Sequence, residues 1–345
     1  RDLEGGHDFL RAGVRPAPST AELCEFIDVH RGRFGVAPIC RALTSAGLKI
    51  APNTYRTRRR RGMSKRALWD TTITEVLAGY YEPDRPGPGG RLRPESLYGS
   101  LKMWAHLNRE GIEVARCTVE RLMKANGWAG VTRRAAPRTT IRDPDAVERA
   151  PDLVDRQFAV PAPDLLWVAD FTYVTRIGGR WCYTAFVVDA FADTIVGWQV
   201  TSAATAAMVQ ATFRDAREYR RRQGRPDPAG AIHHSDAGTQ YTALRFAGQL
   251  AEAEFRPSIG SVGDAYDNAL AETIIGLYKC ECVRVGSPFN PAGFTTRADV
   301  ETATADWVHW FNNHRLLHRL GRRPPAEAEA EHYAEHHTDQ PIGAN

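Results

Sequence analysis

The stretch LLWVADFTYVTRIGGRWCYTAFVVDAFADTIVGWQV, residues 165–200, decides the fold. LLWVADFTYV has the apolar, β-branched and aromatic content of a strand, and Ile177-Gly178-Gly179-Arg180 is a tight turn. WCYTAFVVDAF reads as a second strand and TIVGWQV as a third. Such short connections give an antiparallel meander. Asp170 interrupts the first strand. A carboxylate in a half-buried strand is costly unless it is paired or meets a cation.

Downstream, TAAMVQATFRDAREYRRRQG predicts a long helix, AGAIHHSD a fourth strand, TALRFAGQLAEAE a helix and FRPSI a fifth strand. NALAETIIGLYKCEC and ETATADWVHWFNNHRLL predict further helices. A meander followed by alternating helices and strands makes an α/β fold, a mixed sheet covered by helices on both faces. This is the plan of the ribonuclease H-like fold, expected over residues 165–330.

Two more carboxylates stand out by position. Asp236 ends the fourth strand, and Glu272 lies on the helix after the fifth. Sixty-five residues separate Asp170 from Asp236 and 35 separate Asp236 from Glu272, spacings that no helix or strand period produces. Only the fold could unite them: adjacent strands would set Asp170 beside Asp236, and a crossing helix would bring Glu272 opposite. Such oxygen ligands suit Mg²⁺ or Mn²⁺. Two ions roughly 4 Å apart would activate an attacking hydroxyl and stabilise the leaving oxygen of a phosphodiester. Without cations the three charges repel.

Lys279, seven positions after Glu272, shares its helical face and is expected on DNA phosphate. Asn268, four positions before Glu272, is counted with it as a DNA contact, and Asp267 is expected to cap the helix. Asp189 reads as a structural or turn carboxylate, with metal binding as the alternative. His233 and His234 read as hydrogen-bonding neighbours of Asp236, again with metal ligation as the alternative. EHYAEHH reads as a solvated helix end, and 331–345 as a C-terminal tail.

The front half is built differently. Residues 1–150 carry 27 Lys and Arg against 17 Asp and Glu, a balance of +10, whereas 151–345 carry 18 against 24, a balance of −6. A basic front joined to an acidic rear points to a polyanionic partner, which the acidic rear could work on with metal ions present. Over 17–62, PSTAELCEFIDVHRGRF (capped by Ser19 or Thr20), VAPICRALTSAGL and a third helix from Pro52 lead into the arginines Arg58, Arg59, Arg60 and Arg61. Helix, turn at Gly47, helix and basic cluster predict a helix-turn-helix; a solvated linker is the alternative reading of the charge. Over 67–130 the theme repeats, with Gly111 in the turn and Thr118 expected to cap or open the second helix. Arg116, Arg121 and Lys124 make that helix basic and are expected DNA contacts, against a purely structural three-helix domain. Residues 131–164, rich in Arg and Pro, read as an extended tether that could follow a phosphate backbone.

The 345 residues suit two or three domains, and 43% hydrophobic content can build a sizeable core. No run of about eighteen apolar residues supports a membrane span. RDLEGGHDFLRAG has no secretory h-region and no initiating methionine, so a fragment or the continuation of another reading frame is expected. Six scattered cysteines without a CxxC fit reduced thiols in the cytoplasm.

HHSDAGTQY, SVGDAYDNALAETIIGLYKCE and WFNNHRLLHRLGRRPPAE resemble the signature blocks of the IS3-family insertion-sequence transposases, second reading frame. LWVADFTYV and AFVVDAFADTIVGW resemble the first catalytic strand and meander of their integrase-like core, and LYGSLKMWAHLNREGIEVARCTVERLMKANGWAG the helix-turn-helix before it. The resemblance spans nearly the whole chain. It implies a retroviral-integrase-type core preceded by all-α segments, and Asp170, Asp236 and Glu272 as a metal-binding catalytic triad. It further implies two Mg²⁺ (or Mn²⁺) ions per site, cutting and joining at the element's terminal inverted repeats and in target double-stranded DNA, and homo-oligomers on DNA. Fusion with the upstream-frame product is also implied. The chain departs from the pattern at Ala237, where arginine is common, and at Ala192-Asp193, where serine and arginine are. Loss of a guanidinium beside Asp236 removes a group suited to holding phosphate. Two rivals remain open at this point: a metal nuclease of the same fold that cuts without joining, and a catalytically silent DNA-binding protein.

Overall fold

The computed structural model describes residues 18–61, 63–85, 87, 90–132, 150–225, 228–236, 238, 240–241, 244–260 and 268–337. The chain divides into two compact units, Arg1–Thr74 and Glu75–Asn345.

The first unit holds α1 (Thr20–Phe34), α2 (Val36–Ser45), α3 (Pro52–Arg61) and the start of α4 (Lys65–Tyr81). Ser19, one of the two expected caps, caps α1 in a reciprocal capping box with Glu22. Leu23, Cys24, Ile27, Ile39, Cys40, Ile50 and Tyr55 make its core. The Tyr55 hydroxyl donates to Asp28 at 2.6 Å, and Arg59 pairs with the same carboxylate at 3.6 Å, tying α3 to α1. Arg58, Arg59 and Arg60 are exposed on α3, and Arg61 ends it.

In the second unit, α5 (Ser100–Arg109) and α6 (Arg116–Ala125) form the predicted helix-turn-helix, turning through Gly111 at φ +81°. Ala115, not Thr118, is the N-cap, and it offers no side-chain cap. The helix therefore starts one turn before the polar residue that suggested its beginning. Met103, Leu107, Val119, Leu122 and Met123 are buried, and Arg116, Arg121 and Lys124 are exposed.

The segment that carries this pair is bonded to residues that follow the sheet. Tyr98 donates to the His314 carbonyl at 3.3 Å and accepts the Leu316 N–H at 3.0 Å. The Trp310 indole donates to Glu95 at 3.0 Å, and Arg109 pairs with Glu327.

The expected sheet is present: β1 (Leu166–Ile177), β2 (Arg180–Asp189), β3 (Thr194–Thr201), β4 (Ile232–Ser235) and β5 (Arg256–Ile259), in order β3-β2-β1-β4-β5. The first three strands are antiparallel neighbours, while β4 is parallel to both β1 and β5. On one face α7 (Ala206–Arg222) and α8 (Leu244–Glu252) enclose Trp167, Ala169, Val187, Phe213, Phe246 and Phe255. Gly197 is where α7 comes closest, since a Cβ there would lie 2.5 Å from the Thr212 carbonyl. The other face meets α9 (Ala269–Tyr278) and α10 (Arg297–Asn313) through Phe186, Tyr278 and Trp307, and α11 (Pro325–His337) follows.

Parts of the expected tether and tail pack against the core. Of the expected tether, 133–149 lie outside the described residues, but 150–164 are docked: Leu153 N–H donates to Ser258 at 2.9 Å and Val154 is buried. The expected tail begins inside α11, where Tyr333 accepts Arg225's guanidinium both by hydrogen bond, at 2.9 Å, and on its ring face, at 3.7 Å.

Buried charge fastens the core's rim. Arg220, fully buried on α7, reaches Asp164 at 2.8 Å, Asp189 at 2.7 Å and Glu329 at 2.8 Å. Asp189 also accepts the N–H groups of Asp164 and Phe191, which supports its structural reading.

Candidate active site

The parallel register of β1 and β4 pairs Leu166 with Ile232 and ends with Ala169 beside Ser235. Asp170 and Asp236 are the next residue on each chain, so the two carboxylates leave neighbouring strands at the same level. Asp170 is paired across β1–β2 with Phe186, and cross-strand partners share a face. Phe186 lies 5.0 Å from the Tyr278 ring of α9. Asp170 therefore stands on the face that α9 covers, and Glu272 is on the first turn of α9.

The electrostatics report the same gathering. The Asp170 carboxyl is pushed well above the carboxylate range, first by burial, then by the charges of Asp236 and Glu272, while Lys279 pulls it down. Phe171 N–H also favours its charged form at 2.7 Å. Asp236 keeps solvent access at the strand end, yet the surrounding protein still raises its carboxyl against the Gly238 N–H, 3.1 Å away. Glu272 is exposed. Among the described residues, no group of three His, Cys, Asp or Glu side chains is placed to hold a metal ion as it stands.

Lys279 continues α9 in helical conformation into a π-helical turn, Lys279–Val283, and sets its ammonium 5.1 Å from the Tyr173 ring. Asn268 is not a surface residue: it is the N-cap of α9, buried, with Nδ2 donating 3.1 Å to the Ala169 carbonyl. The close approach of α9 to β1 leaves that amide no route to solvent, and its Oδ1 has no hydrogen-bond partner. Asp267, expected to cap the helix, lies outside the described residues, as do Ala237 and Thr239 beside Asp236.

Sequence reasoning missed Tyr241. It is buried, its ring 6.1 Å from Phe171, and its hydroxyl is raised first by burial and then by Asp170 and Asp236. The tyrosine five residues after Asp236 was visible, but nothing in its spacing indicated that it turns back towards β1.

The histidines serve structure. His234 meets the Ser258 hydroxyl at 2.8 Å on β5. His233 is buried among Phe213, Phe246 and Tyr241, its Nε2 unpartnered, and burial lowers its pKa to about 3. Asp193, at the departure Ala192-Asp193, takes φ +59° and accepts both arms of Arg319 at 2.7 and 2.6 Å. The carboxylate there has its own counter-charge. No helix among the described residues is long and apolar enough to cross a membrane.

A family model described as an integrase core domain matches residues 160–265, a second so described matches 253–325, and one described as an HTH-like domain matches 91–136. A protein of Mycobacterium tuberculosis strain H37Ra, assigned to insertion sequence element IS986/IS6110 as its transposase, is 47% identical over 288 residues, which is 84% of this chain and 98% of that protein. The transposase for insertion sequence element IS629 of Shigella sonnei is 43% identical over 313 residues, 89% of this chain and 96% of the relative. Among solved structures, the HTLV-2 integrase catalytic core domain in complex with magnesium is 13% identical, with a TM-score of 0.36 over 49% of this chain and 98% of that one.

Proposed function

Since the chain belongs to the IS3-family insertion-sequence transposases with an integrase core, and so is a DDE-type polynucleotidyl transferase that cuts and joins DNA strands, we propose that Asp170, Asp236 and Glu272 are its catalytic carboxylates. The observation that carries this reading is the convergence of Asp236 and Glu272 on Asp170. Asp236 and Glu272, far from Asp170 in the chain, both raise its pKa, beside a strand register that runs up to the first two carboxylates.

The carboxylates fit a divalent metal by their chemistry. Burial and like charge both oppose ionisation of Asp170, and a hard cation would reverse both effects. An open arrangement suits Mg²⁺, which binds through one or two carboxylates with waters and substrate phosphate rather than an all-protein cage. When bound, two such ions supply Lewis-acid activation of a water or a DNA 3′-hydroxyl and charge stabilisation of the leaving oxygen.

The protein's own contribution is positional. Gly238 N–H fixes Asp236, Phe171 N–H fixes Asp170, and Asn268 locks the start of Glu272's helix onto β1. Lys279 extends a cation from that helix towards the DNA. Arg58, Arg59, Arg60, Arg61, Arg116, Arg121 and Lys124 supply salt-dependent phosphate affinity in the two helical segments. Terminal inverted repeats and target DNA as substrates, homo-oligomers on DNA, and fusion with an upstream-frame product belong to the same reading. The test is strand cutting and joining on an oligonucleotide carrying the element's terminal repeat. Cutting without joining would favour a nuclease, and binding without either a silent DNA-binding protein.

A further inference from the structure

The β1–β2 hairpin carries a strip of rings and cations that packing does not explain. Tyr173 is 46% and Trp181 38% exposed, their rings 5.1 Å apart. Arg176 lies 4.7 Å over the Trp181 ring, and Lys279 lies 5.1 Å from Tyr173. In the order Lys279, Tyr173, Trp181, Arg176, two neighbouring rings are thus flanked by a cation at each end.

A local irregularity builds this strip. Tyr173 pairs with Tyr183, Thr175 with Cys182 and Arg176 with Trp181, so Val174 is an extra residue in β1. Tyr183 and Trp181, two apart on β2, share a face, and the bulge brings both Tyr173 and Arg176 to it. In a regular strand, residues 173 and 176 would point to opposite faces. Bulges commonly re-aim side chains beside active sites. The strip is also near the carboxylates along the chain: Tyr173 follows Asp170 by three residues on β1, and Lys279 follows Glu272 on the helical run from α9.

We propose that this strip binds an unpaired DNA strand beside the site, with bases stacked on Tyr173 and Trp181 and phosphates held by Lys279 and Arg176. Exposed rings flanked by cations are the surface that single strands use, since every base has a π-face and every link a charge. A base-paired duplex would offer the rings nothing, so the strip selects unpaired ends. The inference rests on the reading of the chain as a DNA-cutting enzyme.

The test uses the full chain in EDTA and two short duplexes, one blunt and one with unpaired 3′ ends carrying 2-aminopurine. The wild type is expected to prefer the unpaired-ended duplex and to quench the 2-aminopurine. Trp181→Ala and Tyr173→Ala each weaken that binding roughly tenfold, abolish the quench and leave blunt-duplex affinity unchanged. Trp181→Phe retains both the preference and the quench. Equal loss on both duplexes, no loss, or an unquenched base with the wild type would overturn the proposal. A parallel Mg²⁺ cutting assay on the wild type separates the two readings. Cutting with no strip effect sinks the strip alone, and a strip effect without cutting sinks the enzymatic reading alone.

Discussion

Asn268 donates its side-chain amide to the Ala169 carbonyl at 3.1 Å, clamping the first turn of α9 to β1 one residue before Asp170. The helix that bears Glu272 is thereby fixed against the strand that bears Asp170. Asn268→Ala would leave the buried carbonyl unpaired, at about 1–3 kcal/mol. The expected outcome is a modest fall in urea midpoint together with a larger fall in strand-cutting rate at saturating DNA. An unchanged cutting rate with raised DNA Kd would instead return Asn268 to a DNA-contacting role.

Arg220 offers a sharper stability test. It is fully buried against Asp164, Asp189 and Glu329, so Arg220→Ala strands the fully buried Asp189 without its cation, while Glu329 keeps Arg225. Breaking such a buried set costs about 3–5 kcal/mol. Arg319→Ala, whose side chain is 44% exposed, should cost under about 1 kcal/mol. Equilibrium denaturation of both variants checks the ranking, and equal losses would refute it.

Gly197 tests the packing of α7 on the sheet. An alanine Cβ would lie 2.5 Å from the Thr212 carbonyl and 2.9 Å from the Ala216 Cβ, both in an opposed helix. Overpacking of this kind costs about 1–3 kcal/mol. Gly197→Ala should therefore lower Tm, whereas Gly248→Ala, with open space around it, should not.

His233 predicts a pH dependence. Burial, and then neighbouring His234, lowers its pKa to about 3 from the ordinary 6.5. Between these values the unfolded chain binds a proton that the folded chain refuses. Its contribution to stability is thus intact above pH 6.5 and declines as pH falls, by up to about 1.4 kcal/mol per pH unit. His233→Phe, which suits the same aromatic cluster, should flatten the stability profile over that window. A profile as steep as the wild type's would show that other groups set it.

Much of this was legible because it is local. The Gly178-Gly179 hairpin turn, the Ser19 cap and the misplaced carboxylate Asp170 each announce themselves within a few residues. What could not be read depends on distance through the fold. The partners of Arg220 lie 56, 31 and 109 residues away in the chain. Asn268 looked like an outward helical neighbour of Glu272 because helical spacing gives relative faces, not which face the sheet covers. The extra residue at Val174 was hidden because a bulge has no composition of its own. Thr118 misled for a simpler reason: polar residues favour helix starts, and here α6 begins at Arg116 without a side-chain cap.

The most direct measurement compares Asp170→Asn, Asp236→Asn and Glu272→Gln with the wild type in metal-dependent cutting and joining of terminal-repeat DNA, alongside DNA affinity in EDTA. If the three carboxylates act as one unit, each variant falls to background, a double variant falls no further, and DNA affinity is retained. Wild-type cutting by any one of the three would contradict the account.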